Sequence, residues 1–247
     1  MHIERRILAI GDIHQAPNLH EIDSCISCIS PDITVFTGDY FDSFIYDYPD
    51  HVRRTATWLK NGLKRPDRVY LLGNHDLPYA FPHLATCPGW TPEKQRIIRM
   101  ILDENDWLRF RLSYSPCPSW LFTHAGLSAS LVAQGVTAVP AWVADQEAVA
   151  LAFLKLRRSH WLFRGGSRRG NDGVGGPLWC DLSEFEPITG LNQVFGHTPA
   201  ALGERLIRVR SDFNSINVCI DASTSQGVGS VMLLDDGAPS EIALPVF

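Results

Sequence analysis

The sequence predicts an α/β protein with two β-sheets, a largely parallel one from the first half of the chain and a more antiparallel one from the second. Three observations predict it. Apolar β-rich runs alternate with helical patterns up to Leu72, short strand-like runs crowd the chain after Trp107, and strands end in short polar tips, four of which open on glycine.

In chain order, Ile7–Ile10 reads as a strand, His20–Ile29 as a helix, Ile33–Thr37 as a strand, Asp50–Lys60 as a helix and Val69–Leu72 as a strand. This βαβαβ order predicts parallel pairing, with helices on the sheet faces and ligands at the carboxyl ends of the strands. Thr91-Pro92 reads as a helix start, hydroxyl cap followed by proline, for a helix running to Trp107. After it come Arg109–Ser113, Trp120–Thr123, Gln193–Phe195, Leu206–Val209, Val218–Asp221, Val231–Leu234 and Ile242–Leu244 as short strands, interrupted by a helix near Gln146–Arg158. Arg164 to Pro177 is glycine-rich and polar, a surface loop. With no linker and no internal repeat, residues 1–247 are expected to form a single domain.

Hydrophobic residues at 45% and charged residues at 20% are ordinary globular composition and exclude a disordered chain or a coiled coil. A net charge of −5 argues against a protein whose main task is gripping nucleic acid. The N-terminal Met-His-Ile-Glu-Arg-Arg leads into a run too short for a signal-peptide core or a membrane span, so no membrane association and a cytoplasmic location are expected. In that compartment the six cysteines stay reduced. Cys25-x-x-Cys28 lacks the second ligand pair a zinc site needs and reads as two thiols on a helix.

Five segments follow predicted strands and present oxygen or imidazole donors: Gly11-Asp12-Ile13-His14, Gly38-Asp39-Tyr40-Phe41-Asp42, Gly73-Asn74-His75-Asp76, His124-Ala125-Gly126 and Gly196-His197-Thr198. A lone Asp or His after a strand is usually a cap or a solvated loop residue. Five together at the ends of strands point to metal. Mixed carboxylate and imidazole donors suit manganese, iron or zinc, because magnesium and calcium prefer all-oxygen shells, and the number of ligands implies two ions. In an extended strand end, Asp12 and His14 would share one face, with Ile13 pointing into the core.

Taken in order, GDIH, GDYFD, GNHD, THAG and GHT resemble the motifs of the calcineurin-like metallophosphoesterase superfamily, from Asp12 to His197 and weakly to Asp221. The resemblance implies a two-sheet β-sandwich flanked by helices and hydrolysis of phosphate esters by a hydroxide bridging two metal ions. It implies that Asp12 and His14 hold the first ion, Asp39 bridges, and Asn74, His124 and His197 complete the second. His75 is then the proton donor to the leaving group, with Asp42 orienting it, and Asp76 supports the loop. Pro199 stands where many members carry a second histidine, and Leu178-Trp179-Cys180-Asp181 resembles a Leu-Trp-Ser-Asp segment. Both are similar to the phosphoprotein phosphatase and diadenosine tetraphosphatase branch.

That branch grips phosphate with arginines at positions that are Ser43 and Leu72 here, and Gln15 replaces a glycine of its first motif. The substitute clamp is sought in the basic stretch Lys155, Arg157, Arg158, His160, Arg164, Arg168 and Arg169. Lys155, Arg157 and Arg158 suit the solvated face of a helix, which leaves Arg164, Arg168 and Arg169 as substrate-binding candidates. Tyr40, Phe41, Phe44, Tyr46 and Tyr79 are placed either to stack a base or tyrosyl ring or to pack the core. His2, His20, His51, His83 and His160 match no motif. The expected substrate is a phosphoprotein or small phosphorylated molecule. The competing readings are a dinucleoside polyphosphate or nucleotide anhydride hydrolase, and an inactive scaffold for protein binding.

Overall fold

The computed structural model describes residues 6–84, 86–201, 207–209, 214–221, 230–235 and 238–243. Its strands are β1 (Ile7–Ile10), β2 (Ile33–Phe36), β3 (Arg68–Tyr70), β4 (Ser113–Cys117), β5 (Trp120–Thr123), β6 (Asn192–Phe195), β7 (Ile207–Val209), β8 (Asn217–Cys219), β9 (Ser230–Asp235) and β10 (Ala238–Ala243). The helices are α1 (Leu19–Ile29), α2 (Pro49–Gly62), α3 (Leu77–Ala80), α4 (Pro92–Arg99), α5 (Glu104–Trp107) and α6 (Val139–Lys155). Two five-stranded sheets form, in the orders β10-β9-β1-β2-β3 and β4-β5-β6-β8-β7.

The βαβαβ half folds as its pattern predicts, with β1, β2 and β3 in parallel register. Two pairings differ from expectation. The runs around Val231–Leu234 and Ile242 join the first sheet, where β9 pairs antiparallel with β1 and β10 with β9; Leu244, like Leu206 and His2, lies outside the described residues. The second sheet is an even mixture: β4-β5 and β7-β8 are antiparallel, whereas β5-β6 and β6-β8 are parallel. Long connections separate those parallel pairs, one of them containing α6, and parallel neighbours need that length of crossover.

Period-2 alternation divides the apolar side chains between two layers. Ile7, Ala9, Val35 and Leu71 of the first sheet meet Trp120, Phe122, Val194, Val218 and Ile220 of the second in one buried cluster. Leu8, Ile10 and Phe36 face the other way, against Ile22 and Ile26 of α1 and Val52, Ala56 and Leu59 of α2. Strands covered on both faces read as continuous apolar runs, which is why β1 and β5 were legible to the residue. Each fully buried aromatic of this kind, such as Phe122, contributes about 2–3 kcal/mol.

The predicted helix from Thr91 to Trp107 is two helices. Thr91 caps α4 by accepting the Lys94 N–H at 3.2 Å. The chain restarts at α5 because Asp103 and Asp106 each accept the other's backbone N–H at 3.0 Å, a capping box that begins a new helix. The predicted strand at Arg109–Ser113 begins late, at Ser113, with Arg111 forming only a bridge to Leu71. α6 starts earlier than its pattern suggested, with Pro140 in its first turn. Among the described residues, no helix is long and apolar enough to cross a membrane.

Candidate active site

The connections leaving β1, β2, β3, β5 and β6 carry the five polar segments to one edge of the sandwich. They turn sharply there. His14, Gln15, Asp39, Asp42 and His197 have φ of 41°, 57°, 50°, 65° and 74°, left-handed conformations that are strained for side chains with a Cβ. The turn is held by the Asp39 carbonyl, which accepts the N–H groups of Ile13 at 3.1 Å and His14 at 2.7 Å. The extended strand end expected for Asp12 and His14 is therefore absent. A turn, not a pleat, brings both to the site, while Ile13 stays in the core. Glycine is required where carboxylates press on backbone: a Cβ on Gly73 would lie 2.1 Å from Asp39 Oδ1, and one on Gly196 2.0 Å from Asp12 Oδ1.

Two groups of side chains each bring their ligand atoms within 4.8 Å of one another: Asp12, His14 and Asp39, and Asp39, His124 and His197. Asp39 belongs to both. Asn74 joins the second group, its Oδ1 lying 2.9 Å from His124 Nε2 and 2.7 Å from His197 Nδ1. Hydrogen bonds fix the ring tautomers. His14 Nδ1 donates to the carbonyls of Phe41 and Asp42, both at 3.1 Å, and His124 Nδ1 donates to the Thr37 carbonyl at 2.9 Å. Their Nε2 lone pairs are thereby aimed at Asp39 Oδ2, 3.7 and 3.5 Å away. Lone pairs of Asp39, Asn74 and His124 thus face each other, with His197 Nδ1 3.2 Å from His124 Nε2. That donor set fits divalent cations.

Electrostatics agree. Burial pushes the Asp39 carboxyl up, but His124, His75, His14 and His197 outweigh it and hold the group well below the usual carboxylate range. Burial and the neighbouring His124 push His197 down to about 3, keeping a lone pair available. Asp12 accepts Thr37 Oγ1 and the His197 N–H, both at 3.0 Å, and burial raises its pKa.

His75 stands beside this cluster. Its Nδ1 donates to Asp42 Oδ2 at 3.1 Å, and its backbone N–H donates to Asp39 Oδ1 at 2.9 Å. Burial depresses the imidazolium, but Asp39 and Asp42 raise it further, to about 8. The other oxygen of Asp42 accepts the Tyr79 hydroxyl and the Lys94 ammonium, the latter at 3.1 Å. Lys94 also reaches the Gly89 carbonyl and Asp47. Asp76 accepts the N–H groups of Gly73 and Tyr40, the loop-supporting place expected of it.

Lys94 and Gln15 are the supporting residues that the motifs did not reveal. Lys94 is the third residue of α4, where a cation opposes the helix dipole; that misfit was the available signal. Gln15 is fully buried, accepting the Asp42 N–H at 3.0 Å and donating to the Tyr46 carbonyl at 2.9 Å. Cys87 donates its thiol to the Asn74 carbonyl at 3.0 Å; no sequence signal marks it.

The three candidate arginines separate. Arg164 and Arg169 line a cavity of about 630 Å³ with His160, Trp161, Phe163 and Trp179. Arg169 lies 5.2 Å over the Trp179 ring, whose centroid is 6.4 Å from that of His197. Arg168 points away, toward Ser183 and Asp181. At the two positions lacking arginine, Ser43 is buried in a turn and Leu72 is in the core. Tyr40, Phe41 and Tyr79 are buried, which leaves Phe44 and, in part, Tyr46 accessible. His51 stacks on Tyr46 and is in neither ligand group.

Two sheets with helices outside, and carboxylates and imidazoles converging at the strand ends, define a metal-dependent hydrolase of phosphoester bonds. The chain belongs to the calcineurin-like phosphoesterase family, whose model matches residues 5–201. Among solved structures it is similar to the cold-active protein-tyrosine phosphatase of the psychrophile Shewanella sp., at 16% identity and a TM-score of 0.61, covering 98% of this chain and 80% of that one. Another structure of a cold-active protein tyrosine phosphatase matches at 16% identity and a TM-score of 0.56, covering 96% and 78%. A protein serine/threonine phosphatase from Saccharomyces cerevisiae matches at 14% and 0.46, covering 94% and 73%. At these identities the likeness to the two tyrosine phosphatase structures is one of fold. No curated protein sequence matches the chain.

Proposed function

We propose that the protein is a phosphomonoesterase acting on a phosphoprotein or a small phosphorylated molecule. In this reading two divalent ions, manganese first and iron or zinc as alternatives, are held by Asp12, His14 and Asp39 and by Asp39, Asn74, His124 and His197. The observation that carries it is the pair of ligand groups sharing Asp39. When bound, the ions supply Lewis acidity and a hydroxide at neutral pH for in-line attack on phosphorus. The chain supplies the rest. Asp42 holds His75 by Nδ1, leaving Nε2 to protonate the departing oxygen. Arg169, and Arg164 beyond it, bind phosphate oxygens from the cavity side. Residues 1–247 act as one domain, since the C-terminal β9 and β10 complete the sheet that begins with β1. The cytoplasm is the proposed compartment, in keeping with six free thiols.

The cavity itself favours a second reading. Two arginines and the rings of Trp161 and Trp179 suit a longer anionic substrate such as a nucleotide anhydride. Relative rates on an aryl phosphate and a dinucleoside polyphosphate separate the two. The first experiment is hydrolysis of an aryl phosphate by metal-stripped protein, with and without manganese, alongside Asp39→Asn and His75→Ala. Manganese-dependent turnover, lost by more than about a hundredfold in both variants, is expected, because even partners one step removed from a metal account for about 10–100-fold. Manganese binding without turnover would overturn the monoesterase reading in favour of an anhydride substrate or a non-catalytic scaffold.

A further inference from the structure

The loop following Asp42 is anchored at three points. Ser43 Oγ accepts the N–H groups of Ile45 at 3.2 Å and Tyr46 at 2.9 Å, Gln15 donates to the Tyr46 carbonyl, and Lys94 pairs with Asp47. A loop so tied has no freedom to fold its apolar residues inward. Yet it holds Phe44 70%, Ile45 46% and Tyr48 63% exposed. A single exposed apolar side chain needs no explanation, but three on one anchored loop beside a reactive imidazole do. The Phe44 ring stands nearly perpendicular to His75, at 87°, with centroids 6.4 Å apart.

The position of the leaving group follows from the proton it must receive. His75 Nδ1 is committed to Asp42, so a leaving oxygen has to come within hydrogen-bond reach of Nε2. A group attached to that oxygen then rests beside the imidazole, whose ring centroid is 6.4 Å from that of the exposed Phe44. Aromatic pairs interact best with centroids about 4.5–7 Å apart, so an aryl group resting beside His75 has an aromatic partner within reach in Phe44, which a small polar alkyl group does not exploit.

We propose that Phe44 is a specificity-determining residue that favours phosphate esters with a flat aromatic leaving group. The inference rests on the phosphomonoesterase reading and deepens it. The occupant of the exposed patch is the substrate's own aromatic ring, as in an aryl or tyrosyl phosphate. The arginine cavity lies elsewhere, beside Trp179 and His197, so Phe44 acts on the leaving group and not on the phosphate.

The test measures kcat/KM of the manganese-loaded protein for phenyl phosphate and for an alkyl phosphate, in wild type, Phe44→Ala, Phe44→Leu and Phe44→Tyr. Comparing each ester with itself across variants removes the difference in intrinsic reactivity. Phe44→Ala is expected to lower the aryl value by about three- to tenfold, mainly through KM, while the alkyl value changes by less than about twofold. Phe44→Tyr restores the aryl preference and Phe44→Leu does not. Equal losses for both esters in Phe44→Ala, or full aryl activity in Phe44→Leu, overturn the proposal, because they show loop support or plain apolar contact. Wild type that hydrolyses neither ester overturns the underlying reading and this one with it, an outcome visible before any variant is compared. Since Phe44 is mostly exposed, its variants are expected to fold, and a matching thermal transition checks this.

Discussion

On the Asp42 side of the site, His75, Tyr79 and Lys94 all donate to one buried carboxylate, so both of its oxygens meet hydrogens. On the Asn74 side, the carboxylate of Asp39, the amide oxygen of Asn74 and the ring nitrogen of His124 face one another, short of protons. The first arrangement is complete as it stands and serves to position an imidazole. The second is complete only with cations. In the proposed function, a well-donated network and a proton-poor one, joined through Asp39, would hold a proton donor still beside bound metal.

The contrast breaks most visibly in the metal-free protein. Asp42→Ala leaves the buried ammonium of Lys94 with only Asp47 and a carbonyl and removes the acceptor of His75 and Tyr79. A loss of about 3 kcal/mol in urea unfolding is expected, as for other buried pairs deprived of one partner. Asn74→Ala removes an oxygen that faces other lone pairs, so the same measurement should show a loss of about 1 kcal/mol or less. Manganese reverses the ranking. At a hundredfold excess over its Kd it stabilises wild type by about 2.7 kcal/mol and Asn74→Ala by much less. Equal losses for both variants without metal would erase the distinction between the two sides.

The arginines sharpen it on the substrate side. Arg169 stands over Trp179 beside His197, whereas Arg168 faces Asp181 and Ser183. Losing one charge-assisted hydrogen bond to phosphate is worth about tenfold in affinity, so Arg169→Gln should raise KM for an aryl phosphate by about that factor. Arg168→Gln should leave it within about twofold. Steady-state kinetics decide, and a larger effect at Arg168 would move the phosphate grip out of the cavity.

The proton-poor side was far more legible in the sequence than the well-donated one. β1 and β5 announce themselves as apolar runs buried on both faces, so the polar residues after them, Asp12 and His124, could be singled out by position, while their reading as ligands came from the resemblance of the motifs. Lys94 could not, because it lies 52 residues from Asp42, and a cation in the first turn of a helix signals a misfit without naming its partner. Pairing partners are equally non-local. β9 and β10 have ordinary strand patterns, and nothing within them says that they return to β1 in place of extending the second sheet. The break before α5 was readable, since Asp103 and Asp106 have capping-box spacing, but the apolar pattern running through it looked continuous.

Gln15 gives the finest test of the well-donated side, because two effects oppose each other there. Its φ of 57° strains any residue with a Cβ by about 1–2 kcal/mol, which glycine relieves. Its side chain, fully buried, ties the Asp42 N–H to the Tyr46 carbonyl through two hydrogen bonds worth about 1 kcal/mol each. Gln15→Ala loses the bonds and keeps the strain. Gln15→Gly loses the bonds and the strain together, against a glycine entropy cost of about 0.5–1 kcal/mol in the unfolded chain. Both variants should be less stable than wild type, with glycine more stable than alanine by about 0.5–1 kcal/mol, the reverse of their usual order. Chemical unfolding of the two side by side reads this directly. Alanine matching or exceeding glycine would mean that the turn at Gln15 carries no strain, and that the Asp42 loop owes its shape to its hydrogen bonds alone.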